Sequence, residues 1–282
     1  MLADYHIHTP YCRHAFGKIV DYIEKAISLG FDEIGFSDHL GRYYLSRSQK
    51  KRNWDWGMNN RDLALYFDEL STLKEAYSDR ITIRIGLEVD YIKGAEELAS
   101  EILSLYPLDY TICSVHCLPH FGLKHLAQYK KVDPLSIYLE YFDAAREALK
   151  CGLFQSLAHL DFIWRYIPWP EGSEALIFKE IQKTVETASQ NESTKLEINS
   201  NGYLWSNKSK IRDYDPFIVM IEEIAKRDVT ITIGSDAHEP VWVGKAFDSI
   251  LSLLIKKGVK NFCCFDKKRA IIHPLQPPDK SN

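Results

Sequence analysis

His6 and His8 stand two residues apart in ADYHIHT, and His14 follows in CRHA. Residues two apart on a strand point to the same side, so this step presents two imidazoles together. GSDAH repeats the step near the other end of the chain, with Asp236 and His238. Between them lie FSDH with Asp38 and His39, GLEV with Glu88, SVH with His116, AHLD with His159 and Asp161, and LEIN with Glu197 and Asn199. A single histidine at a strand end is more often structural. Seven of them buried together would leave many polar nitrogens to satisfy without a metal. Imidazoles with a few carboxylates suit zinc, manganese or iron better than calcium or magnesium. The nine candidate ligands are His6, His8, His14, His39, Glu88, His116, His159, Asp236 and His238. They exceed what one ion needs, so two or three divalent ions (Zn, Mn or Fe) are expected, with a carboxylate such as Glu88 able to bridge. Three such ions bring about +6 charges against about −2 from Glu88 and Asp236, a centre that would bind an anion and lower the pKa of bound water. Phosphate-ester hydrolysis follows more naturally than peptide hydrolysis, and no HExxH helix motif is present.

These residues need elements to bring them together. Short β-prone runs (ADYHIH, EIGFSDH, ITIRIGLEV, YTICSVH, SLAHLD, KLEIN, VTITIGSDAH) alternate with longer amphipathic stretches such as PLSIYLEYFDAAREAL. There the apolar residues recur every three or four positions, the pattern of a helix with one buried face. Gly30 and Gly152 follow two such stretches where a helix stop is expected. Seven alternations of strand and helix predict an α/β fold with mostly parallel strands, closed into a barrel. In a parallel barrel the C-terminal strand ends meet on one face, which carries the active site. Eight of the ten histidines fall at or just after those ends, and only His125 and His273 look uninvolved. One domain over 1–270 is expected, with an aromatic and basic insert near 40–60 and a frayed tail over 271–282.

Composition narrows the classes. The 282 residues are 45% apolar with a net charge of −4, so a broad nucleic-acid surface is not expected. No apolar run approaches the roughly 18–20 residues of a membrane span, and no secretory signal pattern opens the chain. Six scattered cysteines suit reduced thiols in a cytoplasmic protein.

Taken together, DYHIHT, CRHA, FSDH, GLEVDY, SVH, AHLD, LEINSNG and GSDAH resemble the polymerase-and-histidinol-phosphatase (PHP) superfamily of metal-dependent phosphoesterases. The matching stretches span residues 4 to 238. Within the superfamily, GLEVDY, SVHCLP and LEINSNG look most like the stand-alone histidinol-phosphate phosphatases of histidine biosynthesis. The resemblance implies a distorted (β/α)7 TIM-like barrel and three metals. His6, His8, Glu88 and Asp236 would hold the first. Glu88 would bridge to a second on His116 and His159, and His14, His39 and His238 would hold a third. It further implies hydrolysis of L-histidinol phosphate by a metal-bridging hydroxide, with Asp236 or His238 protonating the departing alkoxide. The alternative is the same centre acting on another phosphate ester, such as a nucleotide, phosphotyrosine or nucleic-acid end.

Other polar residues are weaker candidates. Arg42, His120 and Arg165 follow ligand-bearing strands and could contact substrate. Asp38, Asp161 and Glu197 could orient imidazoles. Tyr43, Tyr44, Trp54 and Trp56 could cover the site, although local packing is the commoner role for such aromatics.

Overall fold

The computed structural model describes residues 1–45, 57–206 and 215–276. Trp54 and Trp56, with much of the insert, lie outside the described residues. Nine strands follow in chain order: β1 (Ala3–Ile7), β2 (Glu33–Phe36), β3 (Thr82–Asp90), β4 (Tyr110–Ser114), β5 (Ser156–Leu157), β6 (Lys195–Asn199), β7 (Ile231–Gly234), β8 (Asn261–Asp266) and β9 (Arg269–Pro274). The helices are α1 (Ile19–Ser28), α2 (Asn60–Ala76), α3 (Glu96–Ser104), α4 (Pro134–Lys150), α5 (Ile163–Tyr166), α6 (Glu174–Ser189), α7 (Ser200–Ser206), α8 (Pro216–Lys226) and α9 (Phe247–Lys257). The result is an α/β protein whose sheet keeps chain order from β1 to β9. Every neighbouring pair from β1 to β8 is parallel, and β9 returns antiparallel on β8.

Three details differ from the sequence reading. An eighth parallel strand and its hairpin partner follow the expected seven, and ordered pairing reaches Pro274, past the start expected for the tail at 271. FCCF and AIIH are too short and uniformly apolar to declare a period. β5 is also only two residues long, so His159 and Asp161 sit on the turn beyond it rather than on the strand.

Past the end of β7, Ile7 and Ala237 form a parallel bridge. His8 N–H donates to Ala237 O at 2.9 Å and Ala237 N–H donates to His6 O at 3.2 Å. These bonds lay the first histidine pair beside the last Asp–His pair.

Local rules account for the elements. Along β3, Ile83, Ile85, Leu87 and Val89 alternate with Arg84, Gly86, Glu88 and Asp90, the period-2 signature of a strand. The apolar set joins the main core; the polar set puts a cation near the start and two carboxylates at the end. Helix α4 begins with Pro134 after Asp133, whose carboxylate accepts from Ser136 N–H at 3.0 Å. It buries Ile137, Tyr138, Tyr141, Phe142, Ala145, Ala148 and Leu149 on one face. Each large apolar side chain buried there contributes about 1.5–3 kcal/mol. Gly30 and Gly152 adopt φ of 75° and 72° just past α1 and α4, the left-handed turn that glycine takes without strain.

Polar groups in the N-terminal halves of the strands are paired. Arg84 Nε donates to Glu33 Oε2 at 3.2 Å and Nη1 to Asp266 Oδ1 at 2.5 Å. The Tyr5 hydroxyl donates to Glu33, and the Tyr110 hydroxyl donates to Tyr5 O at 2.9 Å. Asp109 Oδ2 accepts from Lys74 Nζ and from Ile85 N–H. Among the described residues no helix is long and apolar enough to cross a membrane, and all six cysteines are free thiols.

Candidate metal centre

The C-terminal strand ends gather the histidines. His6 and His8 have ring centroids 5.1 Å apart, and His8 is 4.3 Å from His39 and 4.1 Å from His238. Backbone pairing places His39: Glu88 N–H donates to Asp38 O and Leu40 N–H to Glu88 O, so the chain leaving β2 continues beside β3. Positive φ at His159 (20°) and Asp236 (55°) marks the two turns that bring their side chains to the cluster.

Glu88 lies at the centre, only 1% exposed. Its Oε2 stands 3.4 Å from His6 Nε2, 3.5 Å from His8 Nε2 and 2.8 Å from His39 Nδ1. Its Oε1 faces His159 Nε2 at 3.1 Å and His116 Nε2 at 3.5 Å. Asp236 Oδ1 completes the first group, 3.2 Å from His8 Nε2 and 3.7 Å from His6 Nε2. Burial would raise the Glu88 pKa, yet the charges of His39, His116 and His6 hold it well below the carboxylate range. Burial also opposes ionisation of Asp236, which the nearby His8, His6 and His238 keep well below its ordinary value.

The polar census tests whether these residues suit metal ions. His6 Nε2, His8 Nε2 and Glu88 Oε2 are fully buried and make no hydrogen bond among the described residues. Such atoms are costly unless something else satisfies them. Donors sharing one tetrahedral ion at bonds near 2.1 Å lie about 3.4 Å from each other. The separations of 3.2 to 3.7 Å in the first group match that spacing. His8, His39 and His238 form another set whose donor atoms lie within 4.8 Å of one another, as do Cys12, His14 and His238. The donor set therefore fits divalent ions of the zinc type.

The outer nitrogens are held from behind. Glu197 Oε1 is 2.7 Å from His6 Nδ1, and its Oε2 accepts from His159 N–H at 2.9 Å. Asp38 Oδ1 is 3.3 Å from His8 Nδ1. Asp90 Oδ1 is 2.8 Å from His116 Nδ1. A carboxylate on Nδ1 fixes the tautomer that turns the Nε2 lone pair toward an ion. Gly234 makes room for one of these pairs, because a Cβ there would collide with the Glu197 carboxylate and with His6 Cβ.

The substrate candidates divide. Arg165, its side chain 9% exposed, sets Nη1 3.6 Å from Asp236 Oδ2, while its Nε and Nη2 make no hydrogen bond among the described residues. Burial pushes the neighbouring Asp161 carboxyl up to about 6. Arg42 is placed differently from the phosphate contact expected of it: it is buried against Asp90, behind His116. His120 is not brought to the cluster. It is exposed on the turn Pro119–Phe121, lining a cavity of about 260 Å³ with Tyr91, Lys93, Glu140 and Glu147. Tyr43 and Tyr44 pack against the core.

Three residues at the centre had escaped the sequence reading. His125, set aside as uninvolved, stacks 5.9 Å from His116 and meets Phe162 and Tyr166 edge-on. Cys12, grouped with scattered thiols, is buried among His8, His14 and His238. Asp90 follows Glu88 by two residues on β3, and that period-2 spacing could have revealed it.

Comparison with known proteins places this arrangement in context. The family model described as PHP domain matches residues 4–201. A Deinococcus radiodurans protein named probable histidinol-phosphatase is 28% identical over 252 residues, covering 87% of this chain and 90% of that one. A Bacillus subtilis histidinol-phosphatase is 26% identical over 271 residues, covering 88% of this chain and 97% of the relative. Among solved structures, the histidinol phosphate phosphatase of Lactococcus lactis, complexed with Zn, L-histidinol and phosphate, superposes with a TM-score of 0.72. Its identity is 22%, over 96% of this chain and 98% of that chain.

Proposed function

Because the chain belongs to the PHP domain family, we propose that it is a metal-dependent phosphomonoesterase that hydrolyses L-histidinol phosphate to L-histidinol and phosphate. The observation that carries the chemistry is the division of Glu88: its two buried oxygens face two separate sets of imidazoles, three of the atoms involved lacking hydrogen bonds among the described residues. The substrate rests on the relatives named histidinol-phosphatase, which align over most of their length. The fold reading is a single domain that takes in β9, with a distorted (β/α)7 barrel at its heart. The Ile7–Ala237 bridge between the first and seventh strand regions supports it. Six free thiols suit a reducing cytoplasmic setting.

Two or three divalent ions are assigned to the protein. His6, His8, Glu88 and Asp236 would hold one, Glu88, His116 and His159 a second, and His14, His39 and His238 a third. When bound, such ions lower the pKa of water and offset charge on the phosphoryl oxygens. The chain's own groups do the rest. Glu197, Asp38 and Asp90 keep the imidazoles oriented. Arg165 offers guanidinium N–H groups to a phosphate beside Asp236. Phosphate release from histidinol phosphate, compared with a panel of nucleotide and aryl phosphates, tests the substrate. A kcat/KM at least ~100-fold above the panel is expected; comparably low rates on every compound would sink the assignment.

A further inference from the structure

We propose that Arg42 is a positioning residue for the ion at Glu88, His116 and His159, acting through Asp90, rather than a contact to substrate. The inference rests on the metal-dependent reading above. Arg42 opens the short turn Arg42–Tyr44 after β2 and is 5% exposed. Its Nε donates to Asp90 Oδ2 at 2.7 Å, and Nη2 lies 2.6 Å from the same oxygen. Its Nη1 donates to Leu123 O at 3.1 Å, in the loop between β4 and α4. Asp90 divides its carboxylate as Glu88 does, with Oδ2 on Arg42 and Oδ1 at 2.8 Å from His116 Nδ1.

Arg42 thus fixes the Asp90 carboxylate from one side and leaves its other oxygen on His116 Nδ1, where a carboxylate orients the ring with its proton on that nitrogen. The Nε2 lone pair is then left free of hydrogen, and Nε2 is the atom 3.5 Å from Glu88 Oε1. Ser114 Oγ, 3.1 Å from His116 Nδ1, cannot impose that choice, because a hydroxyl serves as donor or acceptor equally well. Arg42 therefore selects the ligating form of an imidazole it does not touch in this chain of contacts. Through Leu123 it also ties the loop after β2 to the loop that carries His125.

The test is metal retention. Full-length protein loaded with Zn²⁺ is titrated with a chelator, and released ions are counted for wild type, Arg42→Met, Arg42→Lys and Asp90→Asn. Arg42→Met and Asp90→Asn are expected to release one ion at about 10–100-fold lower chelator strength, with the remaining ions held as in wild type. The double variant should be no worse than either single one, since both break one link. Arg42→Lys keeps a cation beside Asp90 and should recover most of the retention. Should Arg42→Met fail to fold, Asp90→Asn reads the same link with the shape preserved. Unchanged retention in Asp90→Asn, or a uniform loss across all ions, overturns the proposal. So does an Arg42→Met protein that keeps every ion while inorganic phosphate inhibits it tenfold more weakly, which would make Arg42 a phosphate contact. Wild-type protein that binds no ion would instead refute the metal-dependent reading itself.

Discussion

The two ends of β3 carry the same kinds of charge and treat them in opposite ways. Near its start, Arg84 is matched by Glu33 and Asp266, and Tyr5 and Tyr110 close the remaining bonds. At its end, Glu88 is surrounded by imidazoles at ion-pair distance, yet Glu88 Oε2, His6 Nε2 and His8 Nε2 make no hydrogen bond among the described residues. The first network is complete in the protein alone; the second is complete only with something added. That difference, more than the number of histidines, separates a polar core that stabilises from one that does chemistry.

The largest effect that would sharpen the contrast is ion removal. Exhaustive chelation should lower phosphatase activity by on the order of 10⁴-fold, restored by Zn²⁺ or Mn²⁺, with the far-UV circular dichroism unchanged. Full activity after chelation would erase the distinction between the two ends. Glu88→Gln should follow, with kcat down about 10³-fold and ions lost from both sets, measured by elemental analysis. Gly234→Ala pushes a methyl into the Glu197–His6 pair. It should weaken ion affinity by about 10–100-fold, while a variant with wild-type affinity would show that Glu197 does not orient His6. At the other end, Arg84→Met leaves the largely buried Glu33 without its cation. It should cost about 3 kcal/mol of unfolding free energy in urea, with kcat and ion content unchanged. Tyr5→Phe is the smallest, about 1 kcal/mol, again without a kinetic change. A fall in kcat for either of these last two would mean that the ends are coupled.

Much of the centre was legible because strands translate spacing into direction. The H-x-H step and the strand-end position of Glu88, His116 and Asp236 needed only period-2 geometry and parallel order. Arg42 could not be placed from sequence because its partners, Asp90 and Leu123, lie 48 and 81 residues further along. No local pattern tells a loop arginine which way to turn. His125 was missed for the same reason: it follows no strand, and a bridge to Cys117 folds it back over His116. Strands β8 and β9 lack the alternation that marks a half-buried strand, since β8 is mostly buried and β9 mostly exposed.

The bridge between Ile7 and Ala237 also sets a schedule. His6 is synthesised 230 residues before Asp236, roughly ten to fifty seconds earlier at usual translation speeds. Throughout that interval the emerging chain displays a two-imidazole arm whose last donor, Asp236, does not yet exist. Tight ion capture is thereby deferred to the last stages of synthesis. The long-range contact makes folding slow, and it also makes the loaded centre a report that the seventh strand has arrived.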